Sequence, residues 1–245
     1  MSLLIDIFRC PNVQLCLGSD VAHPCSRIVR AQASDSLGNH QMPEPWMGDI
    51  HHALILCVGS NPAIGLDHYY PAWGKSDKEI EDFFTDQFQN DNWTRNNVRK
   101  VLNSGKLKRV NYWVGVKKRV EELLERQAVP GRDYGLTEIV HCKSMGEVGV
   151  KEALTECAGR YFFRILSESP AKIITVFGRS AANSIKGVLG ITGKNRIHGP
   201  INLAGQSRML AMLPHPSARR SDFDLSFAAN VPDDELKRLR AFLRA

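Results

Sequence analysis

The chain has 245 residues, 43% apolar and 24% charged, long and apolar enough to bury a core of its own without cross-links. No apolar run approaches the roughly 20 residues of a membrane span. The opening MSLLIDIFRC carries no basic stretch ahead of its apolar start, so membrane and secretory classes are set aside and a cytoplasmic protein is expected. The 32 Lys and Arg against 26 Asp and Glu leave a formal charge of +6, which suits a polyanionic partner such as nucleic acid or serves solubility alone.

No Pro/Gly/Ser-rich linker or low-complexity tract divides the sequence, so one domain over 1–245 is expected. Residues 1–50, rich in Pro, Gly, His and Cys, show no sustained period and read as an irregular, wrapped segment rather than helix or strand. Ala53–Val58 is a short apolar run closed by Gly59, the pattern of a buried parallel strand. Val116, Val120, Leu123 and Leu124 repeat at helical spacing, and Leu136–Val140 reads as a second strand. A longer helical pattern runs from Val150 to Leu166 through Cys157 and Tyr161. Lys172–Phe177 before Gly178 and Arg208–Leu213 before Pro214 complete the strands, and Asp233-Asp234-Glu235 opens a terminal helix with acidic residues at its positive end.

Strands alternating with helices predict a three-layer α/β/α sandwich around a central parallel sheet of about four strands. In such folds the loops leaving the carboxyl ends of the strands build the site. Gly59-Ser60-Asn61-Pro62 follows the first strand: Gly and Pro turn the backbone sharply and fix one carboxamide, although Asn-Pro also serves plain turns. Leu213-Pro214-His215-Pro216-Ser217-Ala218-Arg219-Arg220 follows the last: two prolines clamp an imidazole, as charge stabilisation requires, unless the histidine is incidental to a basic surface loop. Six cysteines, at 10, 16, 25, 57, 142 and 157, argue in this compartment for metal, cluster, catalytic or core roles rather than disulfides.

The motifs GSNPAIG and LPHPSARRS, each at the end of an inferred parallel strand, resemble the two signature motifs of the uracil-DNA glycosylase superfamily. VEELLERQAVPGRDYGLTEIVHC and the segment from Cys157 through FRILSESPAKIITVFGRSAA resemble its iron–sulfur branch. The likeness covers roughly 53–65 and 110–225, is loose over 1–50, and fails over 66–109, which reads as an insertion.

That resemblance implies an enzyme of DNA base-excision repair. Uracil is flipped out of DNA and its N-glycosidic bond hydrolysed, leaving an abasic site. Uracil-containing DNA and the abasic product are the implied partners of a monomer. By motif position His215 would stabilise the departing uracil anion at O2, and Asn61 would orient water without taking its proton. Gly59 and Ser60 would line the base pocket. Tyr112 stands where the family keeps a stacking ring, while Trp73 and Tyr70 lie nearer the spacing of relatives without an insertion. Glu138 replaces a base-reading Asn, so another deaminated base comes into play, unless Glu138 caps or pairs with Lys143 outside the pocket. Arg179, Ser180 and Ser217 would meet phosphate, Arg219 and Arg220 would act as a wedge, and Lys194–Gly199 forms a further basic loop.

The iron–sulfur branch pairs two N-terminal cysteines with a second pair about fifteen residues apart. Cys142 and Cys157 match the second pair, Cys25 matches one member of the first, and Cys16 or Cys10 supplies the other. Four thiolates such as Cys16, Cys25, Cys142 and Cys157 suit a [4Fe–4S] cluster, with zinc or simple packing as the other uses. Cys57 falls within the first strand and reads as core. Two further readings stand beside the hydrolase: a trapping binder of uracil or abasic DNA, and a generic nucleotide-binding protein. The second lacks any GxGxxG or GxxxxGKS phosphate loop.

Overall fold

A computed structural model describes residues 1–18, 22–32, 36–65, 69–89, 97–101, 104–218 and 225–245. In chain order the elements are α1 (Leu3–Phe8), α2 (Pro11–Gly18), α3 (Ser26–Arg30), β1 (Trp46–Met47), β2 (Ile55–Gly59), α4 (Asp77–Gln89), β3 (Val98–Lys100), β4 (Leu107–Arg109) and α5 (Asn111–Leu124). They continue as β5 (Tyr134–Glu138), α6 (Val150–Cys157), a π-helical turn (Ala158–Phe162), α7 (Phe163–Glu168), β6 (Ile173–Phe177) and α8 (Arg179–Leu189). Last come β7 (Ile197–Leu203), β8 (Gln206–Leu213), α9 (Phe227–Asn230) and α10 (Asp233–Arg244).

The fold is mixed α/β around a six-stranded sheet ordered β1-β5-β2-β6-β8-β7. Its four inner strands are parallel, and β1 and β7 run antiparallel along the two edges. The inner four are the apolar runs seen in the sequence. They are buried on both faces because helices cover both sides of the sheet. Leu56, Val58, Ile174, Val176, Leu210 and Met212 face α6–α8 and the N-terminal helices. The alternate residues Ile55, Cys57, Ile173, Phe177, Met209 and Ala211 face α5 and α10. Strand periodicity of two thus assigns each side chain to one of two cores.

Residues 1–50 are not irregular as their composition predicts. Three short helices form there, α1 to α3, of 6, 8 and 5 residues. The Ser2 side chain caps α1, accepting from the Ile5 N–H. Leu3, Leu4, Ile5, Ile7 and Phe8 are all buried, so the helix is apolar nearly all round and displays no amphipathic period. Tertiary packing stabilises helices too short to hold alone. The 66–109 segment contributes α4, packed through Ile80 and Phe84, and the β3–β4 hairpin. Among the described residues no helix is long and apolar enough to cross a membrane.

Candidate functional site

Because β2, β5, β6 and β8 are parallel, their carboxyl ends lie together, and a cleft of about 570 Å³ opens there. Gly59, Ser60 and Asn61 after β2, Glu138 at the end of β5, Arg179 and Ser180 after β6, and His215 after β8 all line it. Tyr112, in the first turn of α5, closes one side, its ring centroid 5.3 Å from that of His215 and tilted by 30°.

Asn61 is held through its nitrogen. Nδ2 donates to the carbonyl oxygens of Pro62 at 3.1 Å and Cys142 at 3.3 Å, and to Ser144 Oγ at 3.0 Å. Two of those partners only accept, which fixes the amide orientation. Oδ1 is left as an acceptor of fixed direction.

His215 is fixed likewise. The Ser217 backbone N–H donates to His215 Nδ1 at 3.2 Å, so Nδ1 is the bare nitrogen and the ring proton sits on Nε2. The residue is exposed at the cleft mouth, yet the surrounding walls withdraw enough water to lower the imidazole's pKa, an effect Glu147 opposes. The neutral ring therefore offers one N–H donor at neutral pH.

The loop bearing His215 rests on α5 at Gly115. A β-carbon there would lie 2.5 Å from Pro216 Cβ and 3.0 Å from its carbonyl oxygen. Gly115→Ala is therefore expected to displace the 214–218 loop and cost about 1–3 kcal/mol as overpacking. Urea unfolding and the His215 imidazole NMR signals check this; an unmoved imidazole would refute the docking role given to Gly115.

Glu138 is half-buried in the cleft wall. It pairs in register with Gly59, and its carboxyl presses on the Gly59 Cα so closely that any β-carbon there would overlap Glu138 Oε2. Oε2 is inaccessible and has no hydrogen-bond partner. Burial pushes the carboxyl well above the usual carboxylate range; Glu44 adds to this, Lys143 opposes it and Glu147 adds further. The alternative pairing of Glu138 with Lys143 does not form. Lys143 Nζ is instead 2.6 Å from Glu44 Oε2, with side-chain exposures of 3% and 8%, and lies 4.2 Å from the Tyr70 ring centroid. Glu44 is itself anchored by the backbone: its N–H donates to the His141 carbonyl at 2.9 Å, and its carbonyl accepts from His141 Nδ1 at 2.8 Å.

Other expected members fall elsewhere. Trp73 does not line this cleft: it packs on the N-terminal core with the Arg9 guanidinium 6.0 Å from its ring, because apolar and cationic groups of the N-terminal helices hold it there. Tyr70 packs against Phe8, Phe83 and Phe84. Ser217 lines an adjoining hollow with Arg99, Arg109 and Tyr112. Arg219 and Arg220 lie outside the described residues. Residues 197–199 are not loop but part of the edge strand β7, and nothing in 194–199 lines the cleft. Sequence reasoning missed Glu44, Arg99, Ser144 and Glu147, which also line it.

Five cysteines, at 10, 16, 25, 142 and 157, are buried in one core, while Cys57 is in β2 on the opposite face of the sheet. Cys10, Cys25 and Cys157 lie within electrostatic reach of Cys142, as does Cys16. Burial raises the thiol of Cys25 to about 12 and those of Cys142 and Cys157 upward as well. N–H donors point at two sulfurs, His141 N at Cys157 Sγ (3.4 Å) and Asn12 Nδ2 at Cys25 Sγ (3.8 Å). Cys16 Sγ instead faces His23 Nδ1 at 3.7 Å and Ser26 Oγ at 3.6 Å. Among the described residues no three His, Cys, Asp or Glu side chains stand close enough together to hold a metal ion as placed. Compared with known protein families and with curated proteins, the chain matches none.

Proposed function

We propose that this protein is a DNA-repair glycosylase that flips uracil into the strand-end cleft and hydrolyses its N-glycosidic bond. The observation that carries the reading is the convergence of a fixed acceptor, Asn61 Oδ1, and a fixed donor, His215 Nε2–H, in one cleft walled by Tyr112. Flipping costs a few kcal/mol of unstacking, which stacking on Tyr112 offsets. As the C1′–N1 bond breaks, its electron pair leaves with the base, and His215 Nε2–H donates to uracil O2, where negative charge gathers. Water held by Asn61 Oδ1 adds to C1′ and loses a proton to solvent, since a carboxamide does not take it. The uracil anion takes up a proton from solvent, and the products are free uracil and an abasic site.

Phosphates are met at the cleft mouth by Arg179 and Ser180 at the start of α8, by Ser217, and by Arg99 and Arg109 of the β3–β4 hairpin. The uracil-containing DNA and its abasic product are thus the partners, bound by a monomer. The cysteine core suits a [4Fe–4S] cluster in its all-sulfur donor set and its N–H groups aimed at sulfur. Cys25, Cys142 and Cys157 would be ligands, with Cys10 or Cys16 as the fourth. When bound, the cluster supplies structural bonds between the N-terminal helices and the α5–α6 segment.

A second reading, a trapping binder, is favoured by one feature: Asn61 stands where a carboxylate base would speed hydrolysis. One assay separates the two. The full-length protein, purified without oxygen, is incubated with a uracil-containing oligonucleotide and scored for free uracil and an alkali-labile site. Release supports the hydrolase, tight binding without release supports the trap, and neither sinks both. The same preparation is expected to absorb near 400 nm and to bleach as iron is removed; a colourless, iron-free protein removes the cluster.

A further inference from the structure

The unexplained group in the cleft is the Glu138 carboxyl. Its two oxygens have different fates. Both press on Gly59, but Oε2 alone is sealed there with no partner, so Oε1 is the oxygen through which this cleft-lining residue can be reached. An ionised carboxylate would place half its charge on the sealed oxygen, which neither water nor any donor reaches. Lys143, the buried cation among the described cleft residues, relieves it only in part, because it is held by Glu44. The remaining groups facing the carboxyl give little help. Tyr112 is a phenol whose own pKa burial raises, Glu147 is a further acid, His215 is neutral, Arg179 is exposed, and half-buried Arg99 makes no ion pair with Glu138.

We propose that Glu138 is the specificity-determining residue of this cleft, carrying its proton on Oε1 and donating it to an exocyclic carbonyl of the flipped base. The inference rests on the glycosylase reading and deepens it. A donor at that place accepts an oxo base and refuses an amino base, because an amino group pointed at an O–H leaves two donors facing each other. Deamination converts amino groups into oxo groups. The substrate class is therefore the deaminated bases, uracil foremost, and cytosine is rejected without any carboxamide reader.

Two measurements test this on the full-length protein. In the first, glutamate is labelled with ¹³C at Cδ, and the Glu138 signal is assigned by its loss in Glu138→Gln. It is expected to titrate well above the usual carboxylate range, and free uracil, but not free cytosine, is expected to shift it at pH 6.5. A Glu138 that is ionised at pH 7, or that ignores uracil, overturns the proposal. Folding supplies a check on protonation that needs no ligand. The folded pKa is raised, so the contribution to stability is full below the unfolded pKa and is lost as pH rises toward the folded one. Glu138→Gln is accordingly expected to raise the melting temperature at pH 7 and to change it little at pH 4; equal effects at both overturn the neutral acid.

In the second, uracil release by the wild type is expected to fall about tenfold per pH unit above the Glu138 pKa as the donor is lost. Glu138→Ala is expected to lower the uracil-to-cytosine selectivity by about 10-fold or more. An unchanged selectivity overturns the assignment. If the wild type releases no base at any pH, the glycosylase reading fails by itself, and the uracil-induced shift of Glu138 still decides whether the carboxyl reads the base.

Discussion

Replacing His215 with alanine is expected to slow uracil release by about 10²–10³-fold, the usual loss when one fixed donor to a developing anion is removed. The physical reason is the tautomer. With Nδ1 occupied as an acceptor from the Ser217 N–H, the ring cannot turn to offer a second arrangement, and Nε2–H needs no reorganisation as charge builds. Single-turnover kinetics with saturating protein measure the chemical step apart from DNA binding. The ring packs only at the cleft mouth, so melting temperature should move little. Acid pH should mimic the variant incompletely, because protonation at Nδ1 breaks the Ser217 hydrogen bond while adding positive charge. The imidazole's lowered pKa places that change below the ordinary histidine range, so activity is expected to hold through pH 7 and to depart only at lower pH. A variant with wild-type single-turnover rates would remove His215 from the mechanism.

Lys143→Met is expected to cost about 3–5 kcal/mol of folding stability, because it leaves Glu44 buried without its cation. For a domain of this size that is roughly 6–20 °C of melting temperature. Loss of the ammonium–Tyr70 contact adds to it. The double variant Glu44→Gln, Lys143→Met removes both charges and is expected to recover most of the loss, since paired burial rarely gains much over neutral packing. Denaturant unfolding of the two singles and the double gives the coupling directly. Additive losses would show that the pair is not an energetic unit. With the ammonium gone, Glu138 faces an unopposed Glu44, so its carboxyl should hold its proton to still higher pH.

The four inner strands were legible because double-sided burial writes continuous apolar runs, and their shared direction follows from the helices between them. That places Asn61, Glu138, Arg179 and His215 at one end of the sheet from the sequence alone. The edge strands were not legible. β1 is two residues long, and β7 carries His198, Gly199 and Pro200, which read as loop because an edge strand answers to one neighbour only. The N-terminal helices escaped because each is shorter than the window in which a period shows. Lys143 and Glu44 are 99 residues apart, and no local pattern joins them. Trp73 has the right spacing along the chain, but its ring packs on the N-terminal core beside Arg9 instead. Glu138 was visible as an oddity, but only its register with Gly59 reveals that one oxygen is sealed.

The hydrogen bond from Asn61 Nδ2 to the Cys142 carbonyl makes one peptide serve two masters. The side chain of that residue belongs to the sulfur core, and its backbone steadies the amide that would aim water. Ser144 Oγ accepts from the same nitrogen, so residues 142–144 meet the Asn61 amide at two points. A change in the Cys142 side chain thus has a path of a single carbonyl group to that amide.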